Sequence, residues 1–279
     1  RVLQGDKIID RGGQNDWNKQ LIKENGEKVR SISVHSLAGG HLREPEDPSG
    51  VWKDLLAYAD HYHHFLDELV VTPMKEAGLK PVIAITELQA FAKHPALPKA
   101  NNIGGTLWYS AMLNQCIRSE ELIELITHSA LLNHRGVVFA DPVWWTTYMY
   151  STQEGTIPVA VTTDSPVFSS SGKHIVKREN IPYLDVMALM APDGQTCTVI
   201  LANRQETSAM DVEVSLAGFQ AATEIEVMQV QADQFDLRNT WDQPDRIAPE
   251  IMTLTMKDEL LKTKLPPLSL TRLVFVSSK

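Results

Sequence analysis

Cysteine is almost absent from this sequence. The two present in 279 residues, Cys116 and Cys197, lie far apart in apolar surroundings. That excludes a disulfide-framed scaffold and reads as two buried thiols. No apolar run approaches the ~18 residues that a membrane-spanning helix needs. Positive charge is never concentrated, since Lys and Arg nowhere run beyond two in succession. The 26 basic residues are outnumbered by 35 acidic ones, for a net charge of −9. Phosphate binding needs a dense positive footprint, so nucleic acid is excluded as a partner. A Gly-rich phosphate loop, a Gly-x-Ser-x-Gly elbow and a His-Glu-x-x-His stretch are also missing, and no cofactor is expected. The chain opens Arg1-Val2-Leu3-Gln4-Gly5-Asp6 without Met or signal peptide, as if it began mid-protein. Its compartment is therefore not legible.

What is present has a globular balance, 43% hydrophobic and 22% charged. The first half alternates strands and helices. Residues 28–35 alternate like a strand, and 36–49 form a loop rich in Gly, Pro and Asp. From Val51 to about Ala77 the apolar positions recur at helical spacing, with Pro73 placed to kink the last turn. Val82-Ile83-Ala84-Ile85-Thr86 has the run of a buried parallel strand. Helices are expected over roughly 104–117 and 119–133, the second capped by Ser119. A third strand, Val137-Val138-Phe139-Ala140, is expected before Asp141-Pro142. This order predicts a parallel α/β architecture.

The texture changes near Gly155. Seven short strand-like runs follow: 157–163, 183–190, 197–202, 210–216, 224–230, 251–256 and 268–276. Turn residues separate them, and together they predict a β-sandwich. The boundary falls within 150–156. Three parallel strands cannot close a barrel, but they fit the last strands of a (β/α)₈ barrel whose earlier strands lie upstream. The fold class expected is thus α/β, with the C-terminal part of a (β/α)₈ barrel at 1–152 and an all-β, jelly-roll-like sandwich at 153–279.

In such a barrel the loops after the strands converge at one end, and catalysis happens there. Three strand ends qualify. Glu87 follows a strand of Val, Ile and Ala, where a carboxylate costs free energy to desolvate unless paired. It reads as a glycosidase nucleophile or as an ordinary capping or ion-paired Glu. His35 ends the neighbouring strand, either to bond a carboxylate or sugar hydroxyl or as a structural histidine. Trp144 and Trp145 follow the third strand, as a stacking surface for a sugar ring or as core. The stretch Asp60-His61-Tyr62-His63-His64 puts Asp60 and His64 one helical turn apart, as metal ligands can be. No second ligand cluster supports it, so it reads as helix surface and no metal is expected.

Taken in order, these segments resemble the α-L-arabinofuranosidases of glycoside hydrolase family 51. The resemblance runs through Ser31-Ile32-Ser33-Val34-His35 and Pro81-Val82-Ile83-Ala84-Ile85-Thr86-Glu87, then Trp108-Tyr109-Ser110-Ala111-Met112-Leu113-Asn114. It continues through Ile126-Thr127-His128-Ser129-Ala130-Leu131-Leu132-Asn133 and Trp144-Trp145-Thr146-Thr147-Tyr148. It ends at Leu265-Pro266-Pro267-Leu268-Ser269-Leu270-Thr271-Arg272-Leu273. It implies a retaining exo-glycosidase removing terminal α-L-arabinofuranosyl groups from arabinoxylan- or arabinan-type substrates, with Glu87 at the nucleophile position.

The family's acid/base is a Glu after an Asn, and no Asn-Glu pair occurs in this sequence. The resemblance therefore implies that the second carboxylate lies on a preceding segment, continuous or nicked, so that the N-terminal half of the same enzyme is a partner. It also implies a homo-oligomer. Departures bear on the sugar pocket. Leu88 stands where many members have Trp, and Leu37 where they often have Tyr. Thr146 stands where they place a substrate-binding Gln, and Phe91 where they place an aromatic wall. Rival expectations are a β-xylosidase or endoglucanase of the same clan, and an inactive carbohydrate-binding protein.

Overall fold

The computed structural model describes residues 17–39, 47–129, 139–173 and 177–279, with the backbone of Val2–Gln4 (β1) and Lys7–Ile9 (β2), an antiparallel pair. The chain divides into two compact units. One comprises Arg1–Leu97, Ala111–Ser129 and Phe168–Ile181; the other comprises Pro98–Ser110, Ala130–Val167 and Pro182–Lys279.

The first unit is an α/β layer. After helix α1 (Trp17–Asn25) comes strand β3 (Ile32–Ala38), then helix α2 (Pro48–Asp60). The helical run expected over 51–77 continues as α3 (Tyr62–Leu66), a π-helical turn over Asp67–Val71, and α4 (Thr72–Glu76). Pro73 explains the change of pitch. It has no N–H and would crowd a regular helix four residues back. In the π turn Thr72 instead donates to the carbonyl of Asp67, five residues back. Strand β4 (Ile83–Ala90) follows, then helix α5 (Ile103–Arg118), which passes from the second unit to the first between Ser110 and Ala111.

Residues 123–128, expected to be helical, are strand β5 (Ile123–His128). The spacing of Leu122, Ile123, Leu125 and Ile126 suits either structure. What decides is the neighbour: β4 offers a free edge, and the β-branched Ile123, Ile126 and Thr127 accept an extended path easily. A tight turn joins α5 to β5, closed by the Leu122 N–H on the Ser119 carbonyl at 2.9 Å. Residues 119–122 of that expected helix are this turn, so Ser119 caps no helix, while residues 130–133 and most of the expected strand 137–140 lie outside the described residues. The sheet runs β3-β4-β5, all parallel.

The second unit holds α6 (Pro142–Ser151) and the β-rich C-terminal part. Its strands are β6 (Ile157–Pro158), β9 (Leu184–Met190), β10 (Thr196–Asn203), β11 (Met210–Val214), β12 (Glu224–Gln231), β13 (Glu250–Thr255), β14 (Leu261–Leu265) and β15 (Ser269–Val276), while the two-residue strands β7 (Val167–Phe168) and β8 (Ile181–Pro182), where the chain passes from one unit to the other, pair with each other. Six strands form one antiparallel sheet, β13-β12-β15-β10-β9-β6, and β11 pairs with β14 in a second. Alternate residues of the large sheet, among them Val186, Val199, Val227 and Leu273, share a core with Met210, Val212, Leu261 and Leu265 of the small one. Of the run expected over 157–163, only Ile157–Pro158 pairs, and β14 was not foreseen. Two strands cannot roof six. Part of the inner face therefore opens as a cleft of about 480 Å³, lined by apolar residues such as Val161, Val186 and Val199 and by polar ones such as Thr163, Asp164 and Glu213.

Cys116 and Cys197 are buried and free, one in each unit. Burial pushes the Cys116 thiol up to about 12 and that of Cys197 up to about 11. The thiolate is the reactive form, so neither should react with a disulfide reagent at pH 8 until the protein is unfolded in denaturant, where two thiols should titrate. Rapid labelling of the native protein would contradict this burial.

Candidate active site

The first unit's sheet has two unlike faces. On β3 the residues Ile32, Val34, Ser36 and Ala38 are buried and Ser33, His35 and Leu37 exposed. Ser36 hydrogen-bonds the Tyr62 hydroxyl on α3, so the helices cover the buried side. The other side is open, and it carries the polar residues.

Regular pleating would not put Glu87 there. Ile83 and Ile85 are buried toward the helices, and strict alternation would send residue 87 the same way. A β-bulge intervenes. Val34 pairs with Ile85, but the next residue, His35, pairs with Glu87, so Thr86 is the extra residue in β4. Bulges of this kind re-aim a side chain. Thr86 and Glu87 are both half-exposed in succession, after which Leu88 is buried again. Glu87 emerges beside His35, with His35 Nδ1 3.7 Å from Glu87 Oε2. That is longer than a direct hydrogen bond, and it becomes an ion pair only when His35 is protonated.

A polar row surrounds the carboxylate. Ser33 Oγ lies 2.6 Å from Thr86 Oγ1, Thr127 Oγ1 donates to the Thr86 carbonyl at 2.5 Å, and Ser129 Oγ donates to Gln89 Oε1 at 2.5 Å. These bonds fasten the bulge from both neighbouring strands. Sequence reasoning missed Gln89, Thr127 and Ser129, because β5 was read as a helix and its alternation carried no weight.

The remaining candidates divide between the units. Phe91 follows β4 in the first unit and is exposed. Trp144 and Trp145 lie on α6 in the second unit, both half-buried, with Trp145 edge-on to Tyr148 at 5.9 Å. Thr146 is fully buried, its hydroxyl donating to the Thr106 carbonyl at 3.4 Å. On α6 the Thr146 side chain thus faces α5 within the second unit.

His61, between α2 and α3, and His63 and His64 on α3 do other work. His61 and His64 rings lie 4.3 Å apart, those of His63 and His64 3.9 Å apart, and Arg178 Nη2 donates to His61 Nε2 at 2.7 Å. Burial, then the Arg178 charge, then His64 and His63 push His61 down to about 4. A neutral His61 accepting from Arg178 has its ring nitrogen occupied. Among the described residues no group of three or more His, Cys, Asp or Glu is placed to hold a metal ion.

A parallel sheet with a carboxylate at its C-terminal edge, in a chain whose C-terminal part is antiparallel β, is an arrangement that comparison can test. Residues 86–269 match the family model described as Alpha-L-arabinofuranosidase C-terminal domain. The chain belongs to that family. It is 23% identical over 283 residues to an intracellular exo-alpha-(1->5)-L-arabinofuranosidase of Streptomyces lividans, an alignment covering 91% of this chain and 41% of that protein. Among solved structures, the α-L-arabinofuranosidase of Thermotoga maritima in complex with arabinose superposes with a TM-score of 0.71 at 17% identity, over 92% of this chain and 55% of the other. A family 51 α-L-arabinofuranosidase of Bifidobacterium longum gives 0.78 at 12% identity, over 97% and 57%. This chain thus resembles the family 51 enzymes in fold and spans little more than half the length of those solved chains. No helix among the described residues is long and apolar enough to cross a membrane.

Proposed function

We propose that this chain is the nucleophile-bearing part of a retaining glycosidase that removes terminal α-L-arabinofuranosyl groups, with Glu87 attacking the anomeric carbon. The observation that carries the reading is the bulge that turns Glu87 onto the open face at the C-terminal ends of parallel strands. Membership of the arabinofuranosidase family supports the sugar. In this reading residues 1–152 belong to a (β/α)₈ barrel and 153–279 to the sandwich. Support comes from Leu37 and Leu125, 41% and 46% exposed on the open face, since parallel sheets are normally covered on both sides.

Retention needs two carboxyl groups about 5–5.5 Å apart, one to attack and one to protonate the leaving oxygen and then activate water. Glu87 supplies the first. The second comes from a segment outside this sequence, in the same protein or an associated chain. His35 neighbours the nucleophile, and Phe91, on the same unit, walls the sugar; Trp144 and Trp145 on α6 are aromatic faces suited to a sugar ring.

The test is hydrolysis by the whole protein of an aryl α-L-arabinofuranoside against an aryl β-D-xyloside, followed by NMR. The arabinofuranoside should be the faster substrate, and the first product should keep the α configuration. Faster xyloside cleavage would move the assignment to another glycosidase of the clan. Sugar binding without turnover would make it a binding protein.

A further inference from the structure

Gln89 stands two residues beyond Glu87 on β4. Past the bulge the strand regains its two-residue period, so both side chains leave the sheet on the open face. Along the strand they are separated by about 6.6 Å, so they are neighbours on one face and can reach the same ligand. In register across β3, Glu87 faces His35 and Gln89 faces Leu37, which offers no hydrogen-bonding group. From the β5 side Ser129 donates its hydroxyl to Gln89 Oε1 at 2.5 Å, and its own N–H reaches the Leu88 carbonyl at 3.4 Å.

This fixes the sense of the carboxamide. With Oε1 taken by Ser129, the group presents its two N–H donors at Nε2, and among the described residues none accepts from them. Beside it, an ionised Glu87 can only accept. A hydroxyl is both donor and acceptor, so the Nε2 donor of the amide and an acceptor-only carboxylate on one strand face can bind the two ends of the same hydroxyl.

We infer that Gln89 binds a hydroxyl of the sugar held against Glu87, donating through Nε2, and that Ser129 is the positioning residue that orients the carboxamide. The inference rests on the reading of Glu87 as nucleophile and adds to it a residue that sets which sugar hydroxyl pattern is accepted.

The experiment uses the whole protein and a set of monodeoxy aryl α-L-arabinofuranosides. Gln89→Leu should raise KM for the parent substrate roughly tenfold, the worth of one neutral hydrogen bond, with kcat held within about threefold. One deoxy compound should be poor with the wild type yet lose nothing further with Gln89→Leu, because the bond is already gone. Gln89→Glu keeps the shape and should lose the same donor. It should also raise the acid limb of the pH–rate profile, since a second carboxylate on that face disfavours ionisation of Glu87. Ser129→Ala should shift KM the same way by less. An unchanged KM in Gln89→Leu, or losses that add independently for every deoxy compound, would overturn the inference. Persistent turnover in Glu87→Gln would instead remove the reading beneath it, so the two failures are distinguishable.

Discussion

Glu87→Gln in the whole protein is expected to lower kcat on an aryl α-L-arabinofuranoside by several orders of magnitude while leaving the fold intact. The substitution is isosteric. Residue 87 is half-exposed and contacts His35 only at 3.7 Å, so little packing is disturbed. What is lost is the lone-pair attack that forms the covalent glycosyl-enzyme. Groups that act as a unit in catalysis fail together when one is removed, and losses above ~10⁴-fold are typical of such deletions. Glu87→Ala adds a second arm. With the nucleophile gone, added azide can enter from the vacated face and should give a glycosyl azide of inverted configuration. An azide product of retained configuration would make Glu87 the acid/base instead. Full activity in Glu87→Gln would end the assignment altogether.

Gly105→Ala is expected to be among the most destabilising single substitutions available, at about 3 kcal/mol or more. Helix propensity alone argues the other way, because Ala in place of Gly inside a helix gains about 1 kcal/mol. The close approach wins. A Cβ at position 105 would lie 1.6 Å from the Lys99 carbonyl oxygen and 2.6 Å from its carbon. That carbonyl has little freedom to retreat. Asn102, buried, caps α5 by accepting the Gly105 N–H at 2.8 Å and the Lys99 N–H at 2.9 Å through the same Oδ1. Backbone would have to move on both sides of the cap. Thermal unfolding of the variant should show a drop of several degrees or more. A melting temperature at or above that of the parent would mean that the approach at Lys99 relaxes freely.

Much of this was legible in the sequence, for identifiable reasons. The continuous apolar run through Val82–Thr86 announced β4, and seven turn-separated runs announced the C-terminal sheets, because buried strands show their apolar residues in short runs bounded by turns. Pro73 announced a defect in the long helix, though not its form. The failures are equally physical. Residues 122–126 carry a spacing shared by helix and strand, and only the waiting edge of β4 decides between them. Residues 261–265, Leu-Lys-Thr-Lys-Leu, alternate faintly under three polar side chains and hid β14. In the candidate site Glu87 was legible from its place at a strand end, and the family likeness added weight. The burial of Thr146 was not visible in the sequence. Gln89 and Ser129 could not be foreseen, since their pairing depends on β5 being a strand.

The extra residue at Thr86 makes the direction of the Glu87 side chain a question of odd or even. Taking Thr86 into a regular pleat, with no bulge, would swing the acid toward the side of Ile83, Ile85 and the helices, without altering a single functional group. Relatives compared with this chain should therefore be aligned with the extra residue kept at the step between Val34 and His35. A gap placed one position astray exchanges a reactive residue for a filler.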